Sequence, residues 1–241
     1  MTSTAHQDPP TARRRETRSR LLDAATEVFA EAGVQSASVE QVCARAGYSR
    51  GAFYSNFTSK EQLFLALLER EFDRRIDDVE ATIAELTPTL QQHHGSIDAE
   101  QAAAYIARFI AAEQGGAHWI ILEHEFALLA MRDPEIAPGY LALLERATAG
   151  LAALVETAIA AAGRRFTLPT DRTTELINDM CERAARVSAL QGAPGGEDHP
   201  RGIAALPREI GELLFAVTEP VEPIEPGEAA RHVATPPVTP R

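Results

Sequence analysis

From about residue 14 to residue 217 apolar side chains recur every three or four positions, and no segment keeps the strict two-residue alternation of a half-buried strand. That period confines the chain to an all-α fold. Leu21, Ala25, Val28 and Phe29 mark one face of a first helix from about Arg14 to Ala32, with Gly33 as its stop. Ser38-Val39-Glu40-Gln41 reads as a capping box, in which the serine oxygen takes a backbone N–H and the glutamine side chain returns to the cap. The short helix it opens ends near Ala46, Gly47 permits a tight turn, and Ser49 caps a third short helix whose Phe53 and Phe57 face inward. Ser59-Lys60-Glu61-Gln62 repeats the capping box before a long helix through Phe64, Leu67, Leu68 and Phe72 to about Leu86.

Further on, one helix carries Tyr105, Ile106, Phe109 and Ile110. The segment Ala117 to Met131 is apolar on most sides, the mark of a buried helix. Asp133-Pro134 restarts the chain into a helix that reaches about Gly163. Two more follow, roughly Thr170 to Gln191 and Arg201 to Val217, for about nine in all. Residues 1–12 and 218–241 are polar or proline-rich without apolar period, and are expected to be disordered. The expected organisation is a disordered arm (1–12), a three-helix head (13–60), a helical body (61–217) and a disordered tail (218–241).

An apolar content of 45% supports a substantial core. No run approaches the roughly 20 apolar residues of a membrane span, and the first ten residues lack the apolar stretch of a signal peptide, so a cytoplasmic protein is expected. Cys43 and Cys181 stand far apart without a CxxC spacing and read as apolar residues, and no metal-ligand spacing, nucleophile elbow, phosphate loop or cofactor fingerprint is found. Neither an enzyme nor a cofactor is expected. The net charge of −12 hides an asymmetry: residues 1–60 hold eight basic and six acidic side chains, and the remainder 15 and 29. A mildly basic head on an acidic body fits a protein that meets a polyanion with one end.

Three short helices with the turn Ala46-Gly47-Tyr48-Ser49 between the second and third have the spacing of a helix-turn-helix, although the period alone equally describes any small helical subdomain. The residues go further. Leu21-Leu22-Asp23-Ala24-Ala25, Phe29-Ala30-Glu31-Ala32-Gly33, Ser38-Val39, and the run from Ala46 through Arg50-Gly51-Ala52-Phe53-Tyr54-Ser55-Asn56-Phe57 to Leu63 resemble the TetR (tetracycline-repressor) family of bacterial regulators over about residues 14–68.

The resemblance implies that Arg50 and Gly51 meet base edges, the arginine by a bidentate contact with guanine and the glycine by allowing close backbone approach. Tyr54 and Lys60 match the family's phosphate-contacting tyrosine and lysine. Ser38, Tyr48, Ser49, Ser55 and Asn56 are further candidates for backbone contacts, with helix capping the alternative for Ser38 and Ser49 and packing for Tyr48. Glu40 departs from the family, because a position that can carry a base-reading basic residue holds an acid here.

The same resemblance implies a homodimer joined through the last two helices as a four-helix bundle, and hence an inverted-repeat operator. Leu176, Met180, Ala184 and Val187 on one helix, with Ile203, Leu206, Ile210, Leu213 and Val217 on the other, are the candidate interface, although burial within one chain gives a similar pattern. The middle helices would enclose a small-molecule effector. Tyr105, Phe109, Trp119, Leu122, Phe126, Met131 and Tyr140 are candidate lining, and His118 and Glu123 candidate polar contacts, each with core or surface placement as its alternative. The expected function is a sequence-specific DNA-binding regulator, most simply a repressor released by a lipophilic ligand. The alternative is a helical partner- or lipid-binding protein that keeps the head only as structure.

Overall fold

The computed structural model describes residues 12–93, 96–112, 116–190 and 204–221. Among them are nine helices: α1 (Ala12–Ser36), α2 (Val39–Ala46), α3 (Arg50–Tyr54), α4 (Lys60–Gln92), α5 (Ala99–Ala112), α6 (Gly116–Arg132), α7 (Ala137–Ala161), α8 (Thr170–Leu190) and α9 (Leu206–Val217). The fold is all-α apart from one short antiparallel ribbon, β1 (Arg164–Phe166) with β2 (Thr218–Pro220), in which Arg165 faces Glu219. The proline-rich segment, expected to be without structure from Thr218, thus begins as a strand. Arg164 fastens the ribbon, donating to Thr218 Oγ1 at 2.8 Å and lying 4.6 Å from the Phe215 ring centroid.

The expected caps form. Ser38 Oγ accepts from Gln41 N at 3.2 Å while Ser38 N donates to Gln41 Oε1 at 2.8 Å, and Ser49 Oγ accepts from Ala52 N. At α4 only half of the box is made: Gln62 N donates to Ser59 Oγ, but the Gln62 side chain reaches one residue further back, to Thr58. Gly33 breaks α1 with φ 76° and ψ 164°, and one more short turn follows it. The Asp133 carboxylate accepts from Glu135 N at 2.9 Å and caps the turn before α7, whose own first-turn proline is Pro138. α4 runs six residues beyond Leu86, past Pro88, because Leu86 and Leu90 are buried against Ala162 and the flanking Tyr105 and Phe109. That burial offsets the missing Pro88 N–H, a loss of about 3 kcal/mol in a helix interior.

Head and body share one core. Phe29 of α1 meets Phe64 of α4 edge-on at 5.1 Å, Phe64 stacks on Phe126 of α6 at 4.6 Å, and Phe126 meets Tyr140 of α7 edge-on at 5.6 Å. Phe29, Phe53, Phe57, Phe64 and Phe126 are essentially inaccessible to solvent. On α6, Trp119, Leu122, Phe126 and Ala130 form the buried stripe, whereas Ile121, Leu128 and Met131 lie more than half exposed. The expectation of a helix buried on most sides is therefore corrected to burial on one face. A second cluster joins α5, α8 and α9 around Ile106, Ala184, Leu206 and Ile210.

Deleting the central ring should be costly: Phe126→Ala is expected to lower stability by about 3–5 kcal/mol, read as a shift in the urea unfolding midpoint. Met131→Ala, at an 80% exposed position on the same helix, is expected to change stability by no more than about 0.5 kcal/mol.

Candidate nucleic-acid interface

α3 is amphipathic over little more than one turn. Phe53 and the following Phe57 anchor it in the core, so Ser49, Arg50, Gly51, Tyr54 and Ser55 are left exposed on the other side. Arg50 opens the helix with its guanidinium held from two sides. Nη1 lies 2.7 Å from Glu40 Oε1 on α2, and Nη2 lies 3.5 Å from the Tyr54 hydroxyl, one turn further along α3. The tyrosine and then the glutamate both push the Arg50 pKa upward. At Gly51 a Cβ would meet only Ser49 Oγ, at 3.7 Å, so packing inside the chain does not require glycine there.

The remaining candidates divide. Ser38 and Ser49 cap helices, and Tyr48 is half-buried against the core. Ser55 Oγ donates to Ala52 O at 2.8 Å. Asn56 turns inward, donating through Nδ2 to Ala52 O at 2.8 Å, and its Oδ1 is buried without a partner among the described residues. It closes the end of α3 rather than presenting an amide to a ligand. Lys60 is also engaged: its Nζ donates to Gln35 O at 3.0 Å and to Ala37 O at 2.9 Å, gathering carbonyls left open at the end of α1. From the opposite side Glu125 of α6 accepts from Val34 N at 2.6 Å and packs on Gly33, where a Cβ would come within 3.1 Å of the carboxylate. Residues 33–37 are thus clamped between head and body, a link that the spacing of apolar residues does not reveal.

In the body the candidate lining does not form one surface. Tyr105 and Phe109 pack beside Leu86 and Leu90, while Trp119, Leu122, Phe126 and Tyr140 belong to the core shared with the head. Met131 is turned to solvent and lines nothing, and the side chain of His118 lies outside the described residues. Glu123 is half-buried near Arg75 of α4, Glu182 of α8 and its neighbour His124, and its partial desolvation pushes its carboxyl above the ordinary range. Burial, with Glu123 and Glu182 beside it, likewise raises the Tyr140 phenol. Arg75 Nε is buried with no partner among the described residues, and its guanidinium lies 5.6 Å from the Phe72 ring centroid. These groups form a polar cluster between α4, α6, α7 and α8. Its sequence trace is that Arg75 interrupts the stripe Leu68, Phe72, Val79, Ile83 and Leu86.

Of the candidate interface, Ala184, Leu206 and Ile210 are buried in the chain's own core with Met180 packed beside them, so intrachain burial is the correct reading for those positions. Leu176 is 53% exposed, Val187, Leu213 and Val217 are half-buried, and Ile203 lies outside the described residues.

Because the folded chain holds the Glu123 proton more tightly than the unfolded chain, this residue favours folding less as pH rises above the ordinary glutamate value of 4.5, until the buried carboxyl has ionised. Glu123→Gln removes that dependence. The melting temperature of the unaltered chain minus that of the variant is expected to fall as pH is raised through this window; a difference independent of pH would refute the burial.

Residues 21–67 match the family described as bacterial regulatory proteins, tetR family. The HTH-type transcriptional activator FasR of Mycolicibacterium smegmatis is 35% identical over 86 residues, 36% of this chain and 39% of that protein. UidR of Escherichia coli K12, an HTH-type transcriptional regulator, is 40% identical over 60 residues, 25% of this chain and 31% of that protein. The matches to these curated relatives thus span well under half of their lengths. The fold extends the likeness: the regulator FadR of Bacillus subtilis, solved in complex with stearoyl-CoA, superposes with a TM-score of 0.55 at 20% identity over 81% of this chain and 96% of that one. Residues 21–67 thus carry the helix-turn-helix signature of the tetR family of bacterial regulatory proteins, and the helical body that follows has the fold seen in FadR.

Proposed function

We propose that this chain is a sequence-specific DNA-binding transcriptional regulator that acts in the cytoplasm as a homodimer on an inverted-repeat operator. The observation that carries the reading is α3. Its apolar residues are spent on the core, and Arg50, Gly51 and Tyr54 are left facing outward on a helix short enough to enter a major groove. A glycine that no internal contact requires, beside an exposed arginine, suits a surface that another molecule approaches closely. Pairing through α8 would cover Leu176 and the half-buried Val187, and with Leu213 and Val217 of α9 supplies the remaining apolar rim. Among the described residues no helix is long and apolar enough to cross a membrane.

The second element of the proposal is release by a small, lipophilic effector, with the chain acting as a repressor. Arg75, Glu123 and Tyr140 supply polar contacts within an aromatic surround, and FadR of Bacillus subtilis, which has the same fold, was solved with stearoyl-CoA. An effector that favours a different spacing of the two heads would act through α4 and through the Glu125 contact with residues 33 and 34. Near-complete release needs a difference in affinity between the two states of roughly 5 kcal/mol.

The test is binding of the purified chain to the intergenic DNA upstream of its own gene, against random DNA of equal length at near-physiological salt. Selective binding with a two-fold symmetric footprint is expected; equal, weak binding to both, together with no site recovered from random-sequence selection, would refute the reading. Arg50→Ala should cost about 1–3 kcal/mol on the operator and relax its sequence preference. Gly51→Ala should leave the melting temperature unchanged or slightly higher, since alanine favours a helix over glycine by up to about 1 kcal/mol. Its operator affinity should nevertheless fall by about tenfold, measured by fluorescence anisotropy.

A further inference from the structure

Glu40 and Arg50 form the one ion pair recorded between α2 and α3 among the described residues, at 2.7 Å, and the two side chains remain 55% and 62% exposed. Folding has little use for such a contact. A solvent-exposed pair contributes only about 0–1 kcal/mol, and α2 is tied to α1 on another side by Arg45, which bridges Glu27 and Glu31 at 2.7 Å each. What the pair does is fix a direction. Glu40 and the Tyr54 hydroxyl hold two nitrogens of the Arg50 guanidinium, with the Tyr54 ring centroid 5.8 Å from it. The arginine is thereby oriented across the exposed face of the recognition helix before any ligand arrives. Glu40 meanwhile contributes one oxygen, and Oε2 has no hydrogen-bond partner among the described residues.

A carboxylate on a surface that meets a polyanion is repelled by it, unless the nucleic acid offers that carboxylate a donor. Phosphates and sugars of DNA offer none. Base edges in the major groove offer the exocyclic amines, of which cytosine N4 is a lone donor suited to a carboxylate. An adjoining guanidinium lowers the electrostatic cost of bringing the acid there. We propose, resting on the DNA-binding reading above, that Glu40 and Arg50 read the operator as one unit: Arg50 takes guanine, and Glu40 accepts from N4 of a cytosine in a neighbouring pair. On this view Glu40 is a specificity-determining residue as well as the positioning residue for Arg50, and its acid is the reason the chain prefers a G and C step over the other neighbours of the guanine.

The test is random-sequence selection with the unaltered full-length chain, Glu40→Ala, Glu40→Gln and Arg50→Ala, followed by affinities on the selected sites and their single-base variants. The unaltered chain should select a guanine with a cytosine at a fixed neighbouring position in each half-site. Glu40→Ala should lose discrimination at the cytosine position by roughly 5- to 150-fold, and should also weaken the guanine preference, because Arg50 loses its support. Glu40→Gln should move the preference from cytosine to adenine, whose N6 and N7 match an amide. Thermal melting of both Glu40 variants should match the unaltered chain, so a loss of selectivity is not a loss of fold. Identical motifs and equal discrimination in the unaltered chain and in both Glu40 variants would overturn this inference and leave the regulator reading intact. No selected motif even with the unaltered chain would overturn the regulator reading, and this inference with it.

Discussion

The stack of Phe64 on Phe126 is the contact on which the rest of the molecule depends. A three-helix head of this size buries only a modest apolar core of its own. It completes its core by sharing α4 with the body and by taking the α6 stripe of Trp119, Leu122 and Phe126 as its floor. The edge-on rings of Phe29 and Tyr140 extend the same contact outward to α1 and α7. Because packed rings tolerate little sliding, this column sets how α1 and α4 sit on α6 and α7.

Charge placement reinforces the same geometry. Arg70 of α4 reaches Asp23 of α1 at 2.6 Å, Arg146 of α7 reaches Glu69 of α4 at 2.7 Å, and Arg18 lies over the ring of Phe57 at 4.5 Å. Individually these half-exposed contacts contribute little. Together they tie α4 to α1 and to α7, and α1 to Phe57, which follows α3. The Lys60 and Glu125 clamp differs in kind, because it acts on backbone groups that the break at Gly33 would otherwise leave unsatisfied.

Most of the head was legible in the sequence. Capping boxes, the glycine at the turn and the inward Phe53 and Phe57 pair are local signals, and the structure realises each of them with only the Gln62 side chain displaced. The body was less legible, because a helical apolar period states that a face is buried and not against what. Ala184, Leu206 and Ile210 carry the same period as an intermolecular seam, yet they pack on Ile106 of α5. The apolar run of α6 concealed an outward face for the same reason. The ribbon escaped notice because three residues are too few for alternation to register, and α4 passed Pro88 because tertiary burial outweighed a local preference. In the candidate site, the family resemblance points Asn56 and Lys60 toward a ligand, whereas the backbone carbonyls that hold them belong to the folded chain alone.

Of the 23 lysine and arginine residues, Lys60 is the single lysine. A guanidinium keeps its charge at any physiological pH and is out of reach of acyl transfer, so among the basic side chains of the head that chemistry has a single target. That target is the ammonium group joining α4 to the end of α1. An acyl group on its nitrogen would remove the one titratable side-chain amine in the chain and loosen the carbonyls of Gln35 and Ala37 together, so the molecule carries its only lysine-directed chemical handle at the joint between its head and its body.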